Sequence, residues 1–334
     1  MAPHPIPDAV LQNTVEVYLA NDRNQVRTAV VLNCSRAKVQ DHIRQAMGRG
    51  LIQNEPEPLI EVIAPQKPRF RVKAVTHETP PEGPIYRVVA IGDLHDAPKI
   101  PKERLNWIGQ YVRETKPDRV AQIGDWGTFD SVSQHDAVGS LKWMEKPSFT
   151  QDLESLNESH AAYAEGKGDY DCPHDVTFGN HEHRVNRAAD ADPKRFGDAT
   201  LRMEEVFARY RWKTHPYGDY VFIGGVGFTH VPFNGMGKDY RGKRPENMIG
   251  NDAMFSIVFG HTHKRGFWTF PKIGPQKRID ICNLGSAMSH GHVEEYARMS
   301  TTGWTWGIYD LTIQGGLITS DKFISMLELK ERFA

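Results

Sequence analysis

Several features are scarce in this chain, and each scarcity narrows the reading. Cysteine is rare: Cys34, Cys172 and Cys282 are the only three, far apart and odd in number. They offer no Cys-x-x-Cys zinc pattern, and they fit a reducing compartment better than a disulfide-stapled fold. Long apolar runs are missing; nothing approaches the roughly 18 residues that a membrane-spanning helix needs. Excess charge of either sign is also missing, with 41 Lys and Arg against 42 Asp and Glu. Bulk charge therefore selects no nucleic-acid partner, and any attraction must come from local patches. The opening residues MAPHPIPD lack a basic stretch followed by an apolar one. No secretory signal is read there, and the expectation is a cytoplasmic protein without a membrane partner. Repeats and low-complexity tracts are absent. The 334 residues suffice for a sizeable core and for two domains.

Residues 8–50 read as three short helices. Leu11, Val15, Tyr18 and Leu19 recur at helical spacing. In SRAKVQDHIRQAMGRG, Ser35 is a good N-cap and Gly48 or Gly50 a plausible stop. Val39, Ile43 and Met47 would form its buried stripe, leaving Arg36, Lys38, Gln40 and Arg44 outward. The arrangement resembles a helix-turn-helix whose last helix reads nucleic acid. A plain helical module for dimerisation or packing explains the same pattern, because basic outward faces are common. Segments 59–64 and 69–75 are candidate strands of a wing. The expected division is a module over 1–75, a Pro-rich linker over 76–84 and a catalytic domain over 85–334.

From Ile85 the pattern alternates apolar strands with helices, which argues for an α/β domain with later antiparallel strands. Strands are expected in YRVVAIGD, DRVAQIGD, HDVTFGN, FSIVFG, RIDICNLG, WGIYDLTI and GLITSDKF. DYVFIGG and VGFTH read as a hairpin turning at Gly224-Gly225. Helices are expected over 101–115, about 149–166 and 197–209. Several strands finish in the same manner, with an apolar run, often a Gly, then Asp, Asn or His. Sites in α/β sheets gather where strand C-termini meet loops.

The strand-end residues are Asp93 and His95 in GDLHD, Asp125 in GDWGTFD, Asn180 and His181 in GNHEHR, His230 in GFTH, and His261 and His263 in GHTH. Each alone is weak; five in one order are not. Together they resemble the calcineurin-like metallophosphoesterase superfamily, whose motifs run D-x-H, G-D, G-N-H-[DE], a lone His and G-H-x-H. The match covers about residues 85–320, and the later NLGS (Asn283–Ser286) also fits. The resemblance implies a two-sheet β-sandwich flanked by helices and two divalent transition-metal ions. Asp93, His95 and His263 would hold one ion, Asn180, His230 and His261 the other, and Asp125 would bridge them. Ligands of this type without thiolate suit manganese first, with zinc, iron or nickel also fitting. The implied reaction is attack on phosphorus by a hydroxide bridging the metals. His181 would then stabilise the phosphate and protonate the leaving oxygen, and Glu182 would orient His181.

One motif departs from the family. Many members read G-D-x-x-D-R-G where this chain reads GDWGTFD. The missing Asp-Arg pair argues against a phosphoprotein phosphatase. Arg184 is open between a phosphate contact and pairing with an acid. His135 reads as a loop histidine, and His290 and His292 as non-ligands. Basic runs after His230 (Lys238, Arg241) and after His263 (Lys264, Arg265) are candidate phosphate contacts. His261 and His263 are taken as i and i+2 of an extended segment, facing two neighbouring ions, with Gly260 letting the strand end turn. The resulting expectation is a phosphodiesterase acting on DNA or RNA. The alternatives are a small-molecule or nucleotide phosphatase, and a non-enzymatic DNA-binding protein.

Overall fold

Two side chains decide where the N-terminal helices begin. Asn24 Oδ1 accepts from the backbone N–H of Val26 at 3.0 Å and of Arg27 at 3.2 Å. Ser35 Oγ accepts from Lys38 N–H at 3.2 Å. Each satisfies amides that a helix start leaves without partners. The helices are α1 (Asp8–Ala20), α2 (Gln25–Val31) and α3 (Arg36–Gly48). They close on a small core of Leu11, Val15, Ala29, Val39, Ile43 and Ala46.

The buried face of α3 is turned slightly from the expected one. Met47 is 49% exposed, whereas Ala46 and His42 are buried. His42 Nδ1 lies 2.9 Å from Thr14 Oγ1 on α1. Positions 39, 43 and 47 and positions 39, 42 and 46 are both helical rows. Small Ala46 lets α1 approach, and Thr14 satisfies the buried imidazole. Arg36, Lys38, Gln40 and Arg44 are exposed. The computed structural model describes residues 5–52, 81–134, 136–240, 244–274, 277–294, 297 and 302–334. The expected wing strands, most of the linker, His135 and Arg241 lie outside the described residues. The chain divides into two compact units, Met1–Thr76 and His77–Ala334.

The second unit is built on two sheets. Its strands are β1 (Ile85–Ile91), β2 (Arg119–Gln122), β3 (His174–Thr177), β4 (Trp212–His215), β5 (Val221–Ile223), β6 (Val226–Phe228), β7 (Ile257–Phe259), β8 (Arg265–Pro271), β9 (Arg278–Leu284), β10 (Gly307–Gln314) and β11 (Leu317–Ser325). Six form one sheet in the order β11-β10-β1-β2-β3-β4, and five form the other in the order β5-β6-β7-β9-β8. The β1–β2, β2–β3 and β3–β4 pairs are parallel, as are β6–β7 and β7–β9. The helices are α4 (Glu103–Thr115), α5 (Leu141–Met144), α6 (Phe149–Lys167), α7 (Asn180–Ala191), α8 (Pro193–Phe196), α9 (Ala199–Arg209), α10 (Pro245–Asp252) and α11 (Met326–Phe333).

Alternation along the strands sorts the core into layers. Val89 and Ile91 of β1 join the cluster under α4, α6 and α9, while Val88 and Ala90 point between the sheets. Val258 of β7 and Cys282 and Leu284 of β9 meet them there. Ile257, Phe259, Ile279 and Ile281 face outward, against α10. Strands buried on both faces read as nearly continuous apolar runs, which is why β1 and β7 stood out in the sequence. Gly224 and Gly225 both have positive φ, 55° and 87°, as a two-residue turn matching strand twist requires. The elements not foreseen are the helices α5, α7, α8, α10 and α11 and the strands β4 and β8, the start of β8 having been read as a basic loop. No helix among the described residues is long and apolar enough to cross a membrane.

Two glycines let α4 and α6 touch backbone to backbone. A Cβ on Gly166 would sit 2.0 Å from Asn106 O, and one on Gly109 2.3 Å from Tyr163 O. Alanine in a helix is intrinsically better than glycine by about 1 kcal/mol, but a backbone oxygen cannot yield as a side chain can. Gly166→Ala is therefore expected to lose about 1–3 kcal/mol net through overpacking. Urea denaturation checks this; a raised midpoint would show that the helix pair has slack.

Candidate metal centre

The strand-end residues meet at one edge of the sandwich, where parallel strands of both sheets finish. Asp93 and His95 follow β1, Asp125 follows β2, and Asn180 begins α7 directly after β3. His230 follows β6, and His261 and His263 follow β7. Two loops are zipped together to bring the first pair to the third residue. Leu94 and His95 N–H donate to Asp125 O, each at 2.9 Å, and Asp96 N–H donates to Trp126 O at 2.7 Å.

Two donor groups result. In the first, His263 Nε2 lies 2.9 Å from Asp93 Oδ2 and 3.0 Å from His95 Nε2. In the second, His230 Nε2 lies 3.0 Å from Asn180 Oδ1, 3.3 Å from His261 Nδ1 and 3.4 Å from Asp125 Oδ2. Asp125 Oδ2 is also 3.7 Å from His95 Nε2, so one carboxylate oxygen faces both groups. Asp93, His95, Asp125, His230 and His263 are each at most 2% exposed.

The donor atoms make this a candidate cation site. His230 Nδ1 faces Ile123 O at 2.9 Å, which fixes the proton on Nδ1 and aims the Nε2 lone pair at the cluster. The atoms around it are then carboxylate and amide oxygens and further imidazole nitrogens. Lone pairs collected in a buried place repel unless a cation lies among them. Asp93 Oδ2 is buried with no hydrogen-bond partner, as suits a carboxylate oxygen that could take a cation. A nitrogen and oxygen donor set with no thiolate fits borderline divalent metals, so the residues present fit the implied pair of ions.

Backbone strain singles out the same residues. His95, Asp125, His261 and His263 have φ of 46°, 50°, 65° and 56°, four of ten described non-glycine residues in that region. Such conformations cost of order 1 kcal/mol or more each and gather at functional sites. They also correct the picture of GHTH. The two histidines sit in a tight turn, with Thr262 N–H donating to Gly260 O at 2.7 Å, and are not extended. The left-handed turn is what sends His261 to His230 and His263 to Asp93. Gly260 matters through close approach: a Cβ there would meet Asp93 Oδ1 at 2.6 Å. Gly179 does the same for Asp125, whose Oδ1 would be 2.1 Å from an added Cβ.

Electrostatics follow burial and mutual charge. Burial drives the His95 pKa well below its usual value, and His181 and His263 add to that. Burial alone would raise Asp125, yet His181, His230 and His95 together hold it well below the usual carboxylate range. His230 is the opposite case, lowered by burial but raised overall by Asp125, Asp93 and Glu182.

Glu182 is placed differently from expectation. It does not touch His181, whose Nδ1 faces Thr128 O at 2.9 Å. Its carboxylate is fully buried and accepts four backbone N–H groups instead. Oε2 takes those of Gly179 at 2.8 Å and Asp125 at 2.9 Å, and Oε1 those of Trp126 at 2.8 Å and Gly127 at 3.3 Å. It thus ties the loop after β2 to the start of α7. His181 N–H in turn donates to Asp125 Oδ1 at 2.9 Å.

No family model matches the chain, and no curated protein matches it. Solved structures do. A predicted phosphoesterase of Streptococcus pneumoniae aligns at 11% identity and TM-score 0.32, over 73% of this chain and 92% of its own. A purple acid phosphatase from yellow lupin (Lupinus luteus) seeds aligns at 13% identity and TM-score 0.38, over 74% of this chain and 55% of its own. Vacuolar Protein Sorting 29 of Cryptosporidium parvum aligns at 17% identity and TM-score 0.32, over 72% of this chain and 97% of its own.

The basic residues are scattered. Arg184 is at the site: its Nη1 donates to Thr128 O at 3.2 Å and lies 3.8 Å from Asp130. Arg265 opens β8 with its guanidinium 4.3 Å above the Phe323 ring, a packing role that a loop reading could not foresee. Lys238 and Lys264 are exposed and are not among the residues lining the cavity beside Asn180. Three supporting residues come from elsewhere in the chain: Asn283 opens the NLGS segment, whereas Glu246 and Glu294 had no sequence signal. Asn283 Nδ2 donates to Thr262 Oγ1 at 2.6 Å and to Glu246 Oε1 at 2.9 Å, pinning the turn between the two histidines. Glu294 Oε1 lies 3.8 Å from His95 Nδ1.

Since both oxygens of Glu182 accept two amides, a glutamine in either orientation would set its NH2 against two N–H donors. Glu182→Gln is expected to cost about 2–4 kcal/mol of stability. A thermal midpoint equal to the parent's would mean that the loop is held by something else.

Proposed function

We propose that the chain is a metal-dependent phosphoester hydrolase of the calcineurin-like metallophosphoesterase type. The observation that carries this is the pair of donor groups facing one shared carboxylate oxygen of Asp125, with His181 Nε2 at 3.9 Å from that same oxygen. Asp93, His95 and His263 would hold one ion, Asn180, His230 and His261 the second, and Asp125 both. When bound, two such ions neutralise charge on a phosphate and lower the pKa of water, at the spacing an in-line displacement needs.

The chain's own groups supply the rest. Thr128 O holds one proton on His181 Nδ1, so a second proton, taken up at Nε2 to give the imidazolium, is the one the ring can pass to the leaving oxygen. Asp125 offsets the repulsion between two close cations. Its Oδ1 is held by His181 N–H, so the acid and the shared ligand keep one geometry.

Within this reading the substrate is a phosphodiester, with nucleic acid first. The missing Asp-Arg pair in GDWGTFD and the exposed Arg36, Lys38, Gln40 and Arg44 support it. A cavity of about 330 Å³ beside Asn180 favours the second reading, a small-molecule or nucleotide substrate, because it is the size of one small ligand.

The metal-loaded protein is expected to hydrolyse bis-p-nitrophenyl phosphate, and Asp125→Asn to lose both turnover and at least one metal per chain by elemental analysis. Two metals bound with no phosphoester turned over would sink the proposal. Assays on DNA and RNA separate the two substrate readings. His181→Asn should lower turnover of esters with poor leaving groups by about 10²–10⁴-fold and leave metal content unchanged. Loss of metal in that variant would make His181 a ligand.

A further inference from the structure

Helix α7 does more than present Asn180 and His181. Asn180, Arg184 and Arg187 stand at i, i+4 and i+7, one face of the helix. All three line the 330 Å³ cavity, with Val132, Ser133 and Gln134 opposite. At 1.5 Å per residue the two arginines lie about 6 and 10 Å along the axis from the donor group. No carboxylate is among the cavity's lining residues, which carry two guanidinium groups, two amides and a hydroxyl. Asp130, 3.8 Å from Arg184, lies outside that lining with its side chain 51% exposed.

One side of the cavity is held in place, while Arg187 is exposed. Arg184 is aimed by Thr128 O, the same carbonyl that fixes His181. The facing wall is fastened from behind. Lys146 Nζ donates to Ser133 O at 2.6 Å and pairs with Asp136 at 3.0 Å. Asp152 Oδ2 accepts from Ser131 N–H at 3.1 Å. Guanidinium forks match phosphate oxygens in geometry and charge, and the side already held in place loses little entropy on binding.

We propose that this cavity binds a second phosphate of the substrate, covalently linked to the scissile one, with Arg184 and Arg187 as its specificity-determining residues. The inference rests on the hydrolase reading above. The sugar between the 3′ and 5′ phosphates of a nucleotide spans a distance of the order of one helical turn. A single nucleotide bisphosphate and a nucleic-acid strand both present that chemistry.

Calorimetry on the metal-loaded full chain tests it, with thymidine 5′-monophosphate, thymidine 3′,5′-bisphosphate and a thymidine trinucleotide as probes. The bisphosphate is expected to bind at least about tenfold tighter than the monophosphate. In Arg187→Gln and in Arg184→Gln that ratio should fall to within about twofold. A trinucleotide that binds more tightly than the bisphosphate supports the inference with a strand as source. Equal affinity of these two supports it with a single nucleotide as source. Equal affinity of monophosphate and bisphosphate overturns it, as does a preference that survives both substitutions. The two readings fail separately. A bisphosphate preference without any phosphoester turnover leaves the cavity assignment standing and removes the hydrolase. Turnover of bis-p-nitrophenyl phosphate without the preference does the reverse.

Discussion

A fully buried carboxylate, Asp125, organises the second unit. Its backbone carbonyl accepts the two amides that bring in His95, its Oδ2 faces both donor groups, and its Oδ1 receives the amide of His181. Burying that charge is costly unless it is met by cations or hydrogen bonds. The surroundings are arranged to meet it. Glu182 secures the amides on either side of the loop, Gly179 leaves room for Oδ1, and Asp125 itself adopts a left-handed φ. A cluster of lone pairs held this rigidly is a poor element of stability and a good receptor for divalent cations.

The fold serves that constraint by ending five parallel-paired strands at one edge. Strands β1, β2 and β3 come from one sheet, and β6 and β7 from the other. Each contributes a largely buried run, mostly apolar except in β3, then a residue that reaches the centre. The rigidity of the interior lets the loops hold strained backbone, because the strands fix both ends of each turn. Helix α7 extends the site outward. Its first turn belongs to the metal centre, and its next two turns carry Arg184 and Arg187 along the cavity.

Much was legible in the sequence because strand-end chemistry is local. GDLHD, GNHEHR and GHTH announce themselves by apolar runs that stop at Gly, Asp, Asn and His. The caps at Ser35 and the glycine pair at Gly224-Gly225 are equally local, and the structure bears them out. What failed depended on partners far away in the chain. Met47 or Ala46 on α3 was decided by how closely α1 approaches. Arg265 was read as a candidate phosphate contact, and the Phe323 ring under its guanidinium was not foreseen. Glu182 was assigned to its neighbour His181, yet the four amides it holds come from residues 125–127 and 179, a loop that one cannot see from GNHE alone.

The sequence by itself determined which side chains end the strands, that they are nitrogen and oxygen donors without thiolate, and hence the kind of ion they suit. Those properties are covalent or set by a few neighbouring residues. Tertiary structure alone decided that His261 and His263 diverge through a left-handed turn, that Gly260 is required by the carboxylate packed on it, and that two arginines stand in line with the centre. These depend on distances between segments more than a hundred residues apart, such as the 3.0 Å between His95 and His263. Only the packing of two sheets against each other fixes such distances.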